Sequence, residues 1–333
     1  MPPSQRDGLR LALMACGLAL CAACASEAPV PPEAEPPAQV RVLTFNMWHG
    51  GDAGGQPLEQ SVEVVRASGA DIVGLQETHG RERDGQRPDH GARMASLLGW
   101  HYLDQGHRTG ILSRWPIVGT HGAGAGVTVR LPSGHELHVF NVHLAHAPYQ
   151  PYQLLRIPYE DAPFLTTADE AVEAARSARG RQIADVLAVV RPLLDAGVPV
   201  VLTGDFNEPS HLDWTPRAAA AGVVPVAVPY PTSRAVVDAG LRDAFRMREP
   251  DEVGRPGWTW TPTTRPGDPK DRHDRIDFVY VGISPGTTVT QTQLVGEDPS
   301  TSDIVVQPWP SDHRAVVATV TLDARRAASA PQR

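Results

Sequence analysis

Residues 200–210 read VVLTGDFNEPS. Val200–Leu202, following Pro199, form a short β-branched run of the kind that makes a buried strand. Gly204 and Pro209 mark its exit into a loop. A period of two places Asp205 and Asn207 on one face of the strand end. Two readings fit that spacing. Asp and Asn suit turns because their side chains bond their own backbone. They also make a pair of site groups when a rigid strand supports them. The stretch alone does not separate the two.

Working outward, VRVLTFNMW (40–48) alternates like a strand, and 58–70 follows with helical spacing at Val62, Val65 and Ala67. DIVGLQE (71–77) predicts a second buried strand, and a less regular helix covers 90–98. GILSRWPIV reads as a strand closed by Pro116, and 125–144 as a hairpin turning at Pro132–Gly134. Residues 145–166 break the pattern and hold Tyr149, Tyr152 and Tyr159. Thr167 and Glu170 offer a capping box to a helix with Ile183, Val186, Leu187 and Val190 on one face. Short helices are expected near 211–222 and 232–240, and strands at 257–263, 275–282, 288–295 and 314–322. Strands separated by helices in this mixed order predict one α/β domain, a two-layered sheet sandwich flanked by helices.

The chain has 333 residues, 41% hydrophobic and 20% charged, with 32 prolines and 30 glycines, which fits a loop-rich globular protein. Arg6 and Arg10 precede the apolar run LALMACGLALCAAC, so residues 1–25 read as a signal peptide and the protein as exported. All three cysteines, Cys16, Cys21 and Cys24, lie there, leaving the rest without a disulfide. CAAC resembles a bacterial lipoprotein signal, in which a lipidated Cys24 would tether the chain to a membrane. Cys21 stands where an aliphatic residue is usual, and ordinary cleavage after Ala25 is the alternative. Residues 26–38 read as a Pro-rich spacer, 39–325 as the domain and 326–333 as a disordered tail. Without residues 1–24 the formal charge moves from −8 to −9. That balance lacks the basic footprint of a typical nucleic-acid binder, though it does not exclude a nuclease that hands the phosphate to a metal.

Polar residues recur at the strand ends. Asn46 closes the first strand and Glu77 the second; His143 lies in FNVHL, Asp205 and Asn207 in GDFN, Asp277 in RIDF, and Asp312 and His313 in SDH. Sites in such sheets form where strand ends converge. Taken in order, TFNMW, GLQE, NVHL, GDFN, RIDFV and SDH resemble the endonuclease/exonuclease/phosphatase superfamily over about residues 40–322. The resemblance implies a four-layered α/β sandwich with two packed mixed sheets and a metal at their top. It implies Glu77 as the main metal ligand, with Asn46 beside it and Asp312 completing the set, an oxygen-rich group suited to Mg²⁺ or Mn²⁺. It implies that His313 contacts the scissile phosphate and is oriented by Asp277. Asp205 would position or deprotonate the attacking water, and Asn207 would donate to a phosphoryl oxygen. His143 matches the deoxyribonuclease and sphingomyelinase branches and would contact phosphate or protonate the leaving group. Whether Asp205 or a histidine is the base stays open.

The expected function is an exported, metal-dependent phosphodiesterase acting on a small organophosphate, a lipid head group or nucleic acid. A secreted nuclease and an inactive binding protein are the alternatives, and no protein partner is implied. His49, His146, His211 and His273 lack metal-ligand spacing and read as solvated or satisfied, as does the loop around Lys270. Trp258 and Trp260 alternate and read first as core, second as a stacking wall. Arg114 reads as structural. The insertion, net acidic over 145–180 with three arginines against five acids, is where specificity should lie.

Overall fold

The computed structural model describes residues 38–322 apart from residue 285. The signal peptide, Cys24, the spacer up to residue 37 and the tail lie outside the described residues.

The strands and helices interleave as the hydrophobic periods dictate. The strands are β1 Ala38–Asn46, β2 Ile72–Gln76, β3 His101–Gly106, β4 Thr109–Ser113, β5 Ile117–His121, β6 Gly126–Arg130, β7 Glu136–His143, β8 Val200–Asp205, β9 Leu241–Asp243, β10 Asp277–Gly282, β11 Thr287–Gly296, β12 Ile304–Val305 and β13 Ala315–Leu322. The α-helices are α1 Leu58–Ser68, α2 His90–Leu98, α3 Gln150–Leu155, α4 Ala168–Asp195, α5 Pro216–Ala220, α6 Pro231–Asp238 and α7 Ala244–Arg248. Seven strands pair in the order β12-β11-β13-β1-β2-β4-β3 and six in the order β5-β6-β7-β8-β10-β9. Helices cover the outer faces, so the expected α/β sandwich of two mixed sheets is the fold.

Alternation along the central strands divides the interior. Leu43 and Phe45 of β1 and Val73 and Leu75 of β2 pack beneath α1 and α2, with Val62, Val65 and Met94. Phe140, Leu202, Phe278 and Tyr280 pack beneath α4, with Ile183, Leu187 and Val190. Residues of the opposite parity meet between the sheets: Val40, Val42, Ile72, Val139, Val201, Val279 and Val316. Toward the strand ends that carry Asn46 and Asp205 this inner layer turns polar. Gln76 Nε2 donates to Asn141 Oδ1 at 2.6 Å, and Thr203 Oγ1 donates to the same oxygen at 3.1 Å. Asn141 Nδ2 in turn donates to Leu75 O at 2.9 Å. One step further along the same faces come Asn46, His143, Asp205 and Asp277. Gly74 makes room for the amide layer, since a Cβ there would overlap Thr203 Oγ1 and come within 2.5 Å of Asn141 Oδ1.

Several local expectations change. The run read as one strand up to Pro116 is β4, and Ile117–His121 continues as β5 in the other sheet, so Arg114–Pro116 is the crossing point between sheets. Arg114 ties that crossing down, with Nη1 3.1 Å from Asp71 Oδ1 and its guanidinium over the Trp100 ring. Residues 257–263 form no strand: Trp260 exchanges both backbone bonds with Asp274, the neighbouring Thr259 carbonyl accepts from the Arg314 N–H, and these isolated bridges extend into no ladder. The capping box forms, with Glu170 N–H donating to Thr167 Oγ1 at 3.2 Å and Thr167 N–H to Glu170 Oε2 at 3.0 Å. Ala38, assigned to the spacer, is instead the first residue of β1, paired with Leu322.

Gly74→Ala is expected to push the sheets apart and lower stability by about 1–3 kcal/mol, the usual cost of overpacking. Urea denaturation of the variant against the parent protein measures it.

Candidate active site

Register brings the second sheet's site groups together. His143 lies opposite Asp205 across the parallel β7–β8 pair, and Asp277 opposite Asp205 across the antiparallel β8–β10 pair. Three adjacent strands therefore present His, Asp and Asp side by side on the inner face. The first sheet contributes Asn46 at the end of β1, whose Nδ2 donates across the gap to Asp205 Oδ2 at 2.9 Å and to Glu77 Oε1 at 3.3 Å.

Asp205 is 1% exposed, and both its oxygens are surrounded. The Asn207 N–H donates to Oδ1 at 2.8 Å, and the Asn207 amide to Oδ2 at 3.3 Å. His143 Nε2 lies 3.5 Å and His313 Nε2 3.8 Å from Oδ2. The Asp205–Asn207 relation is not strand alternation, since β8 ends at Asp205 and Phe206 turns into the core beneath α4. A φ of 49° at Asn207 then folds its side chain back. Asn207 Nδ2 also donates to Leu144 O at 3.1 Å, so the turn reading and the site reading describe the same residue.

His313 Nδ1 bonds Asp277 Oδ2 at 2.9 Å, which leaves Nε2 as the ring atom facing the cavity. Burial disfavours the imidazolium but is outweighed by Asp277 and Asp205, so the ring's pKa stands well above its ordinary value. Glu77 shows a similar contest: burial raises its carboxyl, but His143, His313 and the His49 amide leave it below the usual glutamate range. Asp312 is pushed up to about 6, chiefly by burial and also by Glu77 and Asp205, against the attraction of His313.

Backbone strain concentrates here. Trp48, His49, Glu77, Arg108 and Asn207 all have φ between 49° and 62°, a region non-glycine residues seldom occupy. At Glu77 this turns the carboxylate at the end of β2 into the site. At Trp48 and His49 it folds a short 3-10 turn over the site, with the His49 N–H donating to Glu77 Oε2 at 3.0 Å.

The groups line a cavity of about 270 Å³. A larger apolar groove of about 380 Å³ between α4 and α6 holds arginines but no carboxylate or histidine, so the chemistry belongs to the smaller one. All the residues expected in the site meet there: Glu77, His143, Asp205, Asn207, Asp312 and His313 line the cavity, while buried Asn46 and Asp277 bond them from behind. His49 and His146, read as solvated, also line it, and so do Trp48, Arg108, Tyr159 and Trp260, which strand-end reasoning did not reach. The signal for His49 was the Gly50–Gly51 pair that lets the turn fold back. His211 bonds Ser233 and His273 bonds Thr264, both outside the cavity.

The segment from 145 onward is locked from beneath. Arg179, on α4 and fully buried, donates to Ala145 O at 2.8 Å, Gln150 Oε1 at 2.8 Å and Pro148 O at 2.9 Å. Its counter-charge Glu208 lies 3.9 Å away. Burial lowers the Arg179 pKa and raises that of Glu208, so exclusion of solvent outweighs their attraction. Tyr149, on the clamped segment, donates to Asp274 Oδ2 at 2.8 Å and packs edge-on against Trp260.

With this geometry in hand, the pattern of the Endonuclease/Exonuclease/phosphatase family matches residues 43–313. The chain belongs to the endonuclease/exonuclease/phosphatase family. It is a phosphoester hydrolase of that family. An uncharacterized protein of Caenorhabditis elegans is 28% identical over 310 residues, 85% of this chain and 91% of the relative. Among solved structures, an endonuclease/exonuclease/phosphatase from Beutenbergia cavernae DSM 12333 has a TM-score of 0.54 at 24% identity, over 85% of this chain and 72% of that one. A 3′ phosphatase from Neisseria bound to a product DNA hairpin has a TM-score of 0.50 at 19% identity, over 84% and 98%. These two share the fold.

Enzymes of this family use divalent metals, and the donors present fit one. Asp312 Oδ1 is buried without a hydrogen-bond partner, and Glu77 lines the same cavity. Asp205, Asp277 and His313 also converge, with one ligating atom each within 4.8 Å of one another. There, however, Asp277 and His313 Nδ1 are already bonded to each other. Asn46 turns its NH₂ toward Glu77 and Asp205, while its Oδ1 accepts from the Trp48 N–H at 2.9 Å. As placed, Asn46 is a donor to the carboxylates.

Arg179→Met is expected to cost about 3–5 kcal/mol, because it strands the buried Glu208 charge. Arg179→Met with Glu208→Gln should regain part of that loss. Urea denaturation of the single and double variants distinguishes this from simple loss of packing, for which the double variant would be no more stable.

Proposed function

We propose that the protein is an exported, metal-dependent phosphodiesterase that cleaves small phosphodiesters, lipid head groups included, by direct attack of water. The observation that carries this reading is the convergence on Asp205 of donors from both sheets beside Asp312, whose buried Oδ1 accepts no hydrogen bond and has His313 Nε2 3.9 Å away. Glu77 and Asp312 would hold the cation, and their oxygen donors favour Mg²⁺ or Mn²⁺. When bound, such an ion neutralises phosphate charge and steadies the leaving oxygen.

The chain's own groups supply the remainder. Asp205 orients the water and takes its proton; His313 is the less suited base, its Nδ1 already bonded to Asp277 and its pKa raised by Asp277 and Asp205. His313 Nε2–H donates to a phosphoryl oxygen, with Asp277 fixing the ring through Nδ1. Asn207 gives up its longer bond, the 3.3 Å one to Asp205, to a second phosphoryl oxygen. His143 donates to the phosphate or protonates the leaving group.

The small-diester preference is supported by the insertion. Tyr149, Tyr159 and Trp260 line the cavity with Tyr152 packed on all three, and two of the acids expected there, Glu160 and Asp161, are exposed. Arg179, one of the segment's three arginines, is buried and unavailable to a polyanion. A nuclease is the second reading, favoured by Arg81, Arg83 and Arg87 on the exposed loop after Glu77. Two of these are paired: Arg83 with Asp52 at 3.4 Å and Arg87 with Glu82 at 3.8 Å. Export and a lipidated Cys24 rest on the N-terminal sequence; a mass measurement of the mature N-terminus tests both.

Protein lacking residues 1–25 is expected to hydrolyse bis-p-nitrophenyl phosphate with Mg²⁺ or Mn²⁺ and to leave plasmid DNA intact. Asp205→Asn should lower kcat by about 10²–10⁴, the range for a lost general base. Rapid plasmid degradation would put the nuclease reading first, and diester cleavage unaffected by chelation would remove the metal.

A further inference from the structure

The cavity contains one arginine or lysine among its described lining residues, Arg108, and its geometry does not suit a structural role. It lies in the turn between β3 and β4 with φ 62°, and its carbonyl accepts the Thr78 N–H at 3.0 Å. The turn is thereby pinned to the residue that follows Glu77. Among the described residues no carboxylate lies within 4.0 Å of its guanidinium. Its one side-chain hydrogen bond there runs from Nη1 to His49 Nδ1 at 3.3 Å, and His49 Nδ1 is 3.8 Å from Glu77 Oε2. A guanidinium has five N–H donors in a rigid fork, so four are left without a protein acceptor among the described residues. Elsewhere in this chain the half-buried and buried arginines are paired or clamp carbonyls: Arg179, Arg246, Arg275 and Arg314 all do so.

A cation kept beside a carboxylate site without a carboxylate partner is fitted to an anion brought by the substrate. On the reading above, the scissile phosphate would have its own partners in His313, His143 and a cation that Glu77 and Asp312 would hold. Arg108 meets that centre through His49, whose Nδ1 it bonds and which in turn approaches Glu77. We infer that Arg108 is a specificity-determining residue that binds a second anionic group, a carboxylate or phosphate on the retained side of the diester, and that the substrates are small phosphodiesters carrying such a group. The inference rests on the phosphodiesterase reading above.

The test uses two probes with one leaving group: phenyl p-nitrophenyl phosphate and 4-carboxyphenyl p-nitrophenyl phosphate, assayed with Mn²⁺. The rigid ring sets the carboxylate away from phosphorus without altering the reacting bond. The parent protein is expected to prefer the carboxylated probe by about tenfold to hundredfold in kcat/KM, the scale of a charge-assisted bidentate bond. Arg108→Ala should bring the ratio to about one, and Arg108→Lys should keep part of it. Calorimetric binding of 4-carboxyphenyl phosphate against phenyl phosphate should follow the same order. Cleavage of both probes at equal rates by the parent protein would overturn the inference and leave the phosphodiesterase reading standing. A ratio unchanged in Arg108→Ala would also overturn it, by placing the preference elsewhere. Absence of hydrolysis together with equal binding of the two monoesters would overturn both readings. Absence of hydrolysis with selective binding lost in Arg108→Ala would support the anion site and remove the phosphodiesterase reading.

Discussion

The hydrogen bond from Asn46 Nδ2 to Asp205 Oδ2, 2.9 Å across the seam between two sheets, is the contact on which the site depends. A carboxyl group at 1% exposure is tolerated only when its oxygens are met by donors. Here the donors come from both layers, Asn46 from the first sheet and Asn207 from the second, with the rings of His143 and His313 3.5 Å and 3.8 Å away. Separating the sheets at this end would leave a buried charge unpaired. Packing and catalysis therefore place the same demand on the fold.

The inner layer is graded accordingly. Valines and isoleucines fill it at one end, the amides of Gln76 and Asn141 with Thr203 follow, and the ionic groups come last. Each step places more polar atoms where the neighbouring step can bond them, and the buried oxygens left without a hydrogen bond include Asp277 Oδ1 and Asp312 Oδ1 at the ionic end. The same logic holds beneath the insertion. Arg179 satisfies carbonyls that a long loop would otherwise leave buried and unbonded, and in doing so presents Tyr149 to the cavity.

Most of the fold and the acid–base groups were legible in the sequence because strand alternation and strand-end polarity are local signals. Asn46, His143 and Asp205 could be placed from their position at the close of apolar runs and Asp277 at the opening of one, and register brought them together. What escaped depends on backbone conformation and on distant partners. Asn207 reached Asp205 through a left-handed turn instead of a strand period. Trp260 was assigned to a strand, but it bonds Asp274 while its neighbour Thr259 bonds Arg314, isolated bridges to distant segments that no local pattern reveals. His49 and Arg108 joined the site through turns with positive φ, and only the Gly50–Gly51 pair hinted at one of them. The orientation of the Asn46 amide, donor side toward the carboxylates, is likewise a property of its neighbours.

The account divides the site into a cation-holding pair, Glu77 and Asp312, and a proton-handling set, Asp205, His313 and Asp277. Calorimetric titration of Mn²⁺ into Glu77→Gln, Asp312→Asn, Asp205→Asn and Asp277→Asn variants tests that division most directly. The account predicts that binding weakens at least tenfold, about 1.4 kcal/mol, in the first two variants and stays near the parent value in the last two. Binding lost in Asp205→Asn and Asp277→Asn but retained in Glu77→Gln and Asp312→Asn would contradict it, placing the metal in the Asp205–Asp277–His313 cluster instead.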